Sequence, residues 1–569
     1  MGKHSFIISA IILTMGGFFA KAIGALYKIP LTNILGSNGI GLYYLVFPVY
    51  SLIIVLCSSG IAVAVSTEVA KCRKLRHRYN EQKILQVSIV LSFILSLVLT
   101  IITLCLSRVL AEAQGNVNVR IGYIAIAPSI IISSLIATVR GYFQGIENMV
   151  PTTVSLIIEQ IVKLSVGLIL AYKLSVFGIN YAVLGAILGV TFSELVAVIV
   201  ITINFVIYKG QLDYNYRRLI CKTKRRFGVI GYLKNKAVIF QCDICRREVY
   251  RCLPNRQRYS NKEAMLKIIK IAIPSTLSGL ILPIATMLDS FLIINILNSS
   301  GVSTMTSTAL YGLFGGVVQS LISLPIIVIS AISTALVPSL SGLVVHNDTN
   351  ELVHRINFFI KITWLVSIIA VVFIYVFAEG IIEFLYGDGL INVYINEFEY
   401  AVKLLQMNSV SIIYSAFLQT NTVILQVTGG ASAPFWASLV ALPIRVLLLR
   451  LLVAIPDINI YGAVISNTLY LATINIALTV IIKKKIALEY QFYKHLFKPV
   501  LIGMVCLFIG LLGYNFLSQF VNYLATICIV SIVIFLVYVI WIYFGKVLTR
   551  KEKEYLCFRK KITKKSNRM

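Results

Sequence analysis

Fourteen apolar runs, each near or above the roughly 20 residues needed to cross a hydrocarbon core, constrain this chain more than any other feature. They lie near 5–27, 40–69, 84–107, 121–139, 151–172, 178–207, 268–297, 306–343, 357–378, 400–427, 433–454, 459–482, 497–517 and 520–545. A polar stretch, 208–264, separates the first six from the rest. Backbone groups in hydrocarbon must be satisfied internally, and runs of this length do so as helices. The expectation is therefore an all-α polytopic membrane protein of about 14 transmembrane helices. Composition agrees: 58% of residues are hydrophobic and only 13% charged. "AKA" at 20–22 resembles a signal-peptide cleavage site, but the apolar periodicity runs on to residue 27, so 5–27 reads as the first span.

The net charge of +29 would point to nucleic acid in a soluble chain, but here it sits between the apolar runs. Residues 71–83 carry six Lys/Arg, 208–264 carry fifteen, and "KKK" fills 483–485. The alternate loops 298–308 and 379–399 carry none. Positive charge marks the cytoplasmic side, which places both termini there. Contact with anionic lipid headgroups accounts for the basic loop and its interleaved tyrosines without any nucleic acid. Cys221, Cys242, Cys245 and Cys252 in that loop are a lesser zinc candidate, since their flanking spacings match no strong pattern and reduced thiols are the simpler reading. There is no H-E-x-x-H and no G-x-x-x-x-G-K-[ST], so the chain reads as a transporter, not an enzyme, and one that does not itself use ATP.

The two halves look like copies. "LYYLVFPVYSLIIVLCSSGIAVAVSTEVA" from Leu42 resembles "LYGLFGGVVQSLISLPIIVISAISTALVP" from Leu310. "FQGIENMVPTTVSLIIEQIVK" (143–163) resembles "LQVTGGASAPFWASLVALPIR" (425–445), with Lys163 and Arg445 as the matched basic residues. Six helices separate the copies, so the repeat is parallel. The expected organisation is an N-lobe (1–207), a basic cytoplasmic loop (208–264), a C-lobe (265–483), two appended helices (484–546) and a basic tail (547–569).

Charges inside the runs are the candidate functional residues, because an ammonium at the bilayer centre costs about 2.5–3.5 kcal/mol. Lys21 and Lys28 lie seven residues apart on one helical face. Lys21 precedes Leu42 by 21 residues and Asp289 precedes Leu310 by 21, so the repeat register matches them with opposite sign. Asp289 reads as an ion-pair partner, a coupling-cation ligand or a helix clamp. Glu159 and Lys163 are spaced i,i+4 beside Gln160 and read either as an internal ion pair or as cavity residues. Arg140 reads as a cytoplasmic-end cation or a gate. Of Arg445 and Arg450, Arg445 is the candidate, as the repeat partner of Lys163.

These residues carry a family resemblance. "KAIGALYKIPLTNILGSNGIGLYYLVFPVYSL" (21–52), "RGYFQGIENMVPTTVSLIIEQIVK" (140–163) and "IPSTLSGLILPIATMLDSFLI" (273–293) resemble the stage V sporulation protein B-like polysaccharide transporters. That group belongs to the multidrug/oligosaccharidyl-lipid/polysaccharide exporter superfamily, together with the lipid II flippases. The resemblance implies alternating-access movement of an undecaprenyl-diphosphate-linked oligosaccharide or peptidoglycan precursor to the outer leaflet of a bacterial plasma membrane. On that reading Lys21, Lys28, Gln160, Lys163 and Arg445 are the substrate-binding set. Asp289 and Glu159 are the coupling or switching acids, and Arg140 is the gate. No cofactor is implied beyond a coupling force: sodium ion, proton or membrane potential. The implied partners are the lipid-linked glycan, anionic lipids and cell-envelope synthesis enzymes; the oligomeric state stays open. Lipid II flippases carry further arginines in helices two and eight, whereas 40–69 and 306–343 here contain no Lys or Arg. A cation-coupled multidrug exporter of the same superfamily and a non-transporting envelope scaffold are the alternatives.

Overall fold

The computed structural model describes residues 3–75, 77–234, 258–345, 349–387, 396–486 and 498–544, with side chains described from residue 12 and not over 210–257, 334–339, 341, 342, 345, 349 and 523. Among these residues every regular element is helical: α1 (Lys3–Ile54), a π-helical turn (Val55–Ser59), α2 (Gly60–Lys74), α3 (Arg78–Ala113), α4 (Val119–Gly145), α5 (Val150–Ser175) and α6 (Ile179–Lys234). There follow α7 (Asn261–Gly279), α8 (Ile281–Ser299), α9 (Thr304–Gly312), a second π turn (Leu313–Val318), α10 (Gln319–Val345), α11 (Thr349–Val376) and α12 (Ala378–Tyr386). The remainder are α13 (Glu397–Ser409), α14 (Ser411–Val427), α15 (Ala433–Val453), α16 (Tyr461–Ile486), α17 (Lys498–Leu517) and α18 (Tyr523–Phe544).

Twelve of the described helical runs are long and apolar enough to cross a membrane, or thirteen when α13 and α14, bent by 41°, count as one span. The protein is a multi-pass membrane protein. The first run, Ile12–Lys74, is 63 residues long, about 95 Å at 1.5 Å per residue, and covers two of the expected spans. Counting it twice turns thirteen into the expected fourteen. Its break is Gly36, at φ 65° and ψ −179°, a backbone region open essentially to glycine alone.

The chain divides into two compact units: 1–27 with 42–290, and 28–41 with 291–569. This differs from the lobes expected from the repeat. The stretch 28–41 of α1 goes with the second unit, while α7 and α8 as far as Ser290 go with the first.

In the first unit, lipid-facing and packing-facing chemistry are inverted relative to a soluble protein. On α3, Ser88, Ser92, Ser96, Thr100, Thr103 and Ser107 form the buried stripe, while Phe93, Ile94, Val98 and Ile101 are exposed. Hydrocarbon supplies no hydrophobic drive between helices, so small residues that permit close approach take the interface. The π turn widens the helix at Cys57, whose carbonyl accepts from Ser134 Oγ of α4 at 3.2 Å. The start of α7 is fixed by a capping box in which Ser260 and Glu263 bond each other's backbone N–H. Just before it, Tyr259 N donates to Asn80 Oδ1 at 3.0 Å, and the Lys267 ammonium lies 4.5 Å over the Tyr259 ring. That tyrosine hydroxyl holds the Lys267 pKa above the ordinary lysine range. At α7, Gly60 packs against the Ala272 carbonyl and the Thr276 hydroxyl so closely that a methyl group would collide with both.

Gln114, fully buried, ties α1, α4 and α8 of this unit together. Its Nε2 donates to Leu45 O and to Ser290 Oγ, both at 3.0 Å, and its Oε1 accepts from Tyr123 Oη at 2.7 Å.

The second unit has a comparable polar interior. Asn421 Nδ2 donates to Asn475 Oδ1 at 3.2 Å, Asn475 donates to Tyr414 O at 2.8 Å, and Thr363 and Thr420 hydroxyls meet at 2.9 Å. The 28–41 stretch is fastened here by Asn33 Nδ2 to Leu385 O at 2.9 Å and Ser37 Oγ to Glu397 Oε1 at 2.6 Å. The two last helices pack on α11 through Ile502, Cys506, Val530 and Ile534, and Tyr538 Oη donates to Leu365 O at 2.6 Å.

Replacing Gln114 by Ala leaves the Tyr123 and Ser290 hydroxyls without that partner. The expected loss is about 1–3 kcal/mol, read as a lower thermal midpoint of the detergent-solubilised protein. An unchanged midpoint would show that the clamp carries no stability.

Candidate functional site

Helix one lies close to α5 because glycines face side chains across the contact. A Cβ added at Gly24 would sit 2.9 Å from Gln160 Oε1, and one at Gly167 would sit 2.8 Å from Tyr27 Oη. Gly16 meets the Thr153 methyl still more tightly. This approach lays Tyr27 and Phe47 against Lys163, whose Nζ is 5.4 Å from each ring centroid. Attraction between an ammonium and an aromatic face strengthens when water is excluded. Lys21, one turn before Gly24, is exposed. The first unit thus sets Gln160 and Lys163 of the expected binding set against α1, the helix on which Lys21 stands exposed.

A turn before Lys163, Glu159 Oε2 accepts from Arg140 Nη2 at 2.8 Å, and the same Nη2 donates to Ser155 Oγ at 2.7 Å. The two charged side chains are 16% and 19% exposed, so the pair is shielded enough for its attraction to count. Arg140 therefore bonds the acid that spacing also offered to Lys163. The pair closes one wall of a cavity of about 270 Å³, lined also by Ile54, Ser58, Ser133 and Gln144. Ile54 and Ser58 belong to the π turn or its edge, so the helical irregularity opens onto this space.

Among the buried charges beyond the expected set are Glu194 and Lys361. Glu194 of α6 accepts from Tyr50 Oη at 2.5 Å, and Tyr50 Oη is 3.2 Å from Ser133 Oγ. Lys361 of α11 is 4% exposed. Both sit inside runs recognisable as spans, and the rule that singled out Lys21 applies equally to them.

The remaining expected residues fall as follows. Asp289 is buried, next to Ser290 of the Gln114 clamp, and belongs to the first unit, as Lys21 does. The repeat register assigned the two to opposite lobes; the exchange of 28–41 and 261–290 between units removes that opposition. Lys28 is half-buried and opens the stretch that goes with the second unit. Arg445 is buried in the second unit, its guanidinium 4.7 Å over the Tyr470 ring, while Arg450 is exposed. Cys242, Cys245 and Cys252 lie outside the described residues, and of Cys221 only the helical backbone is described.

The sequence and the fold both have known counterparts. Residues 7–235 match the family of polysaccharide biosynthesis proteins. The chain is 25% identical over 500 residues to stage V sporulation protein B of Bacillus subtilis (strain 168), covering 86% of this chain and 88% of that one. It is 23% identical over 476 residues to the lipid II flippase MurJ of the same organism, covering 81% and 80%. In structure it is similar to an inward-facing multidrug resistance MATE family transporter, with a TM-score of 0.63 at 16% identity over 84% of this chain and 98% of that one.

Arg140→Met strands the Glu159 carboxylate, and Glu159→Leu strands the guanidinium. Each single change is expected to lower stability by about 3 kcal/mol, and the double change to recover most of it. Thermal unfolding of the four proteins completes the cycle. Losses that simply add would show the pair to be uncoupled.

Proposed function

We propose that the chain is a lipid-linked glycan flippase, akin to the stage V sporulation protein B-like polysaccharide biosynthesis proteins that its sequence resembles. Its cargo is an undecaprenyl-diphosphate-linked oligosaccharide or peptidoglycan precursor, moved by alternating access from the inner to the outer leaflet of a bacterial plasma membrane. Both termini face the cytoplasm, on the strength of the loop charges.

The observation that carries this reading is the cationic side of the first unit. Lys163 is fixed between two aromatic rings, Gln160 abuts helix one at Gly24, and Lys21 stands exposed one turn away. Lysines act toward phosphate oxygens as compact point charges, and surroundings of low dielectric strengthen the attraction. Lys21 and Lys163 hold the diphosphate; Lys28 and Arg445 engage the cargo at another stage of the cycle. Arg140 and Glu159 form a switchable gate pair, and Asp289 supplies the second acid of the coupling step, for a sodium ion, a proton or the membrane potential. The glycan itself is left open by the absence of Lys and Arg from 40–69 and 306–343.

A cationic-drug exporter would use acids in the same unit, and Glu159 and Glu194 are available there. Glu159 is already matched by Arg140, which favours the anionic cargo.

The test is a leaflet-resolved flipping assay in proteoliposomes, with lipid-linked glycan and a cationic dye as parallel cargoes. Lys21→Ala should abolish glycan-lipid flipping with normal membrane insertion, and Lys21→Arg should retain part of it. Normal flipping by the alanine variant, or transport of the dye alone, would overturn the proposal.

A further inference from the structure

Glu194 has no part in the roles assigned above, yet its surroundings are those of a working acid. It is 6% exposed, midway along the membrane-spanning part of α6, Ile179–Lys209. One carboxylate oxygen accepts from Tyr50 Oη at 2.5 Å, while the other, Oε2, is buried with no hydrogen-bond partner among the described residues. A carboxylate met only by neutral hydroxyls, Tyr50 and the nearby Ser133, is poorly compensated in hydrocarbon, and a neutral acid there needs an acceptor for its proton. Tyr50 can serve both states. Its hydroxyl also meets Ser133 Oγ at 3.2 Å, a contact in which either oxygen can donate. With Glu194 ionised the chain runs Ser133 to Tyr50 to Glu194. With Glu194 protonated, a small rotation lets the acid donate to Tyr50 and Tyr50 donate to Ser133. Ser133 lines the 270 Å³ cavity, so this reversible chain joins a buried acid to a space bounded by Arg140 and Glu159.

We propose that Glu194 is a proton-binding site of the first unit, exchanging its proton with the cavity through Tyr50 and Ser133. The charged and titratable groups around it are Tyr50 from α1, Glu159 and Lys163 from α5, and Arg140 on α4, paired to Glu159. With all four charged members ionised, two acids offset two bases. Protonating Glu194 leaves the cluster one positive charge in excess, which favours an anion beside Lys163. Losing the proton restores neutrality and favours release. The proton site stands on the hydrogen-bond geometry alone; its link to a diphosphate rests on the flippase reading.

The experiment is infrared difference spectroscopy of the full chain in detergent, titrated between about pH 5 and pH 9. Wild type should show a protonated-carboxyl C=O band that disappears as pH rises. Glu194→Gln should lose that band, and Tyr50→Phe should keep it with a shifted midpoint. A band of equal size and midpoint in wild type and Glu194→Gln would overturn the proton site. Undecaprenyl diphosphate added to the wild type should move the midpoint upward, because a ligand that prefers the protonated form stabilises it. A titrating band whose midpoint ignores the diphosphate would overturn the coupling. None of the titrations without lipid depends on transport, so failure of the flippase reading and failure of the proton site are separable.

Discussion

Charge held away from water is the constraint on which the rest of this structure depends. The first unit places Arg140, Glu159, Lys163, Glu194 and Asp289 inside helices whose outer faces are Phe, Ile, Leu and Val. Each charge has to be met by protein, since hydrocarbon offers nothing. Arg140 meets Glu159, Lys163 meets two aromatic faces, and Glu194 meets Tyr50. These contacts need helices closer than large side chains permit. Gly24 and Gly167 between helix one and α5, and the serine and threonine stripe on α3, supply that closeness. Small residues and buried charge are two halves of one arrangement.

Much of the fold was legible in the sequence because spanning length is a strong signal. All fourteen expected segments have helical counterparts, once the run broken at Gly36 is counted as two. The unit boundary was not legible. Hydropathy locates spans but says nothing of which neighbours a span packs on, and a parallel repeat makes the cut after the sixth helix look natural. The glycine contact of Gly60 with Ala272 and Thr276, and the Gln114 clamp on Ser290, bind 261–290 to the first unit instead. For the same reason the matched register of Lys21 and Asp289 did not place them in different units.

Site residues were legible in kind more than in pairing. Spacing offered Glu159 to Lys163 at i,i+4, but Arg140 lies nineteen residues before Glu159 and reaches its carboxylate from another helix, a contact that no local pattern encodes. Glu194 and Lys361 were visible as charges within spans. Only the three-dimensional arrangement distinguishes Glu194, through Tyr50 and the cavity-lining Ser133. The lipid-linked cargo is a proposal that starts from similarity to a lipid II flippase, and the likeness to MATE transporters concerns the fold.

The central claim is that the first unit's cations recognise a lipid diphosphate. Native mass spectrometry of the detergent-solubilised protein, with undecaprenyl diphosphate competing against the uncharged alcohol undecaprenol, tests it most directly. Wild type should prefer the diphosphate at least tenfold, about 1.4 kcal/mol, and Lys163→Met, which keeps the bulk and removes the charge, should lose most of that preference. Equal occupancy by the two lipids in wild type, or an undiminished preference in Lys163→Met, would contradict the account.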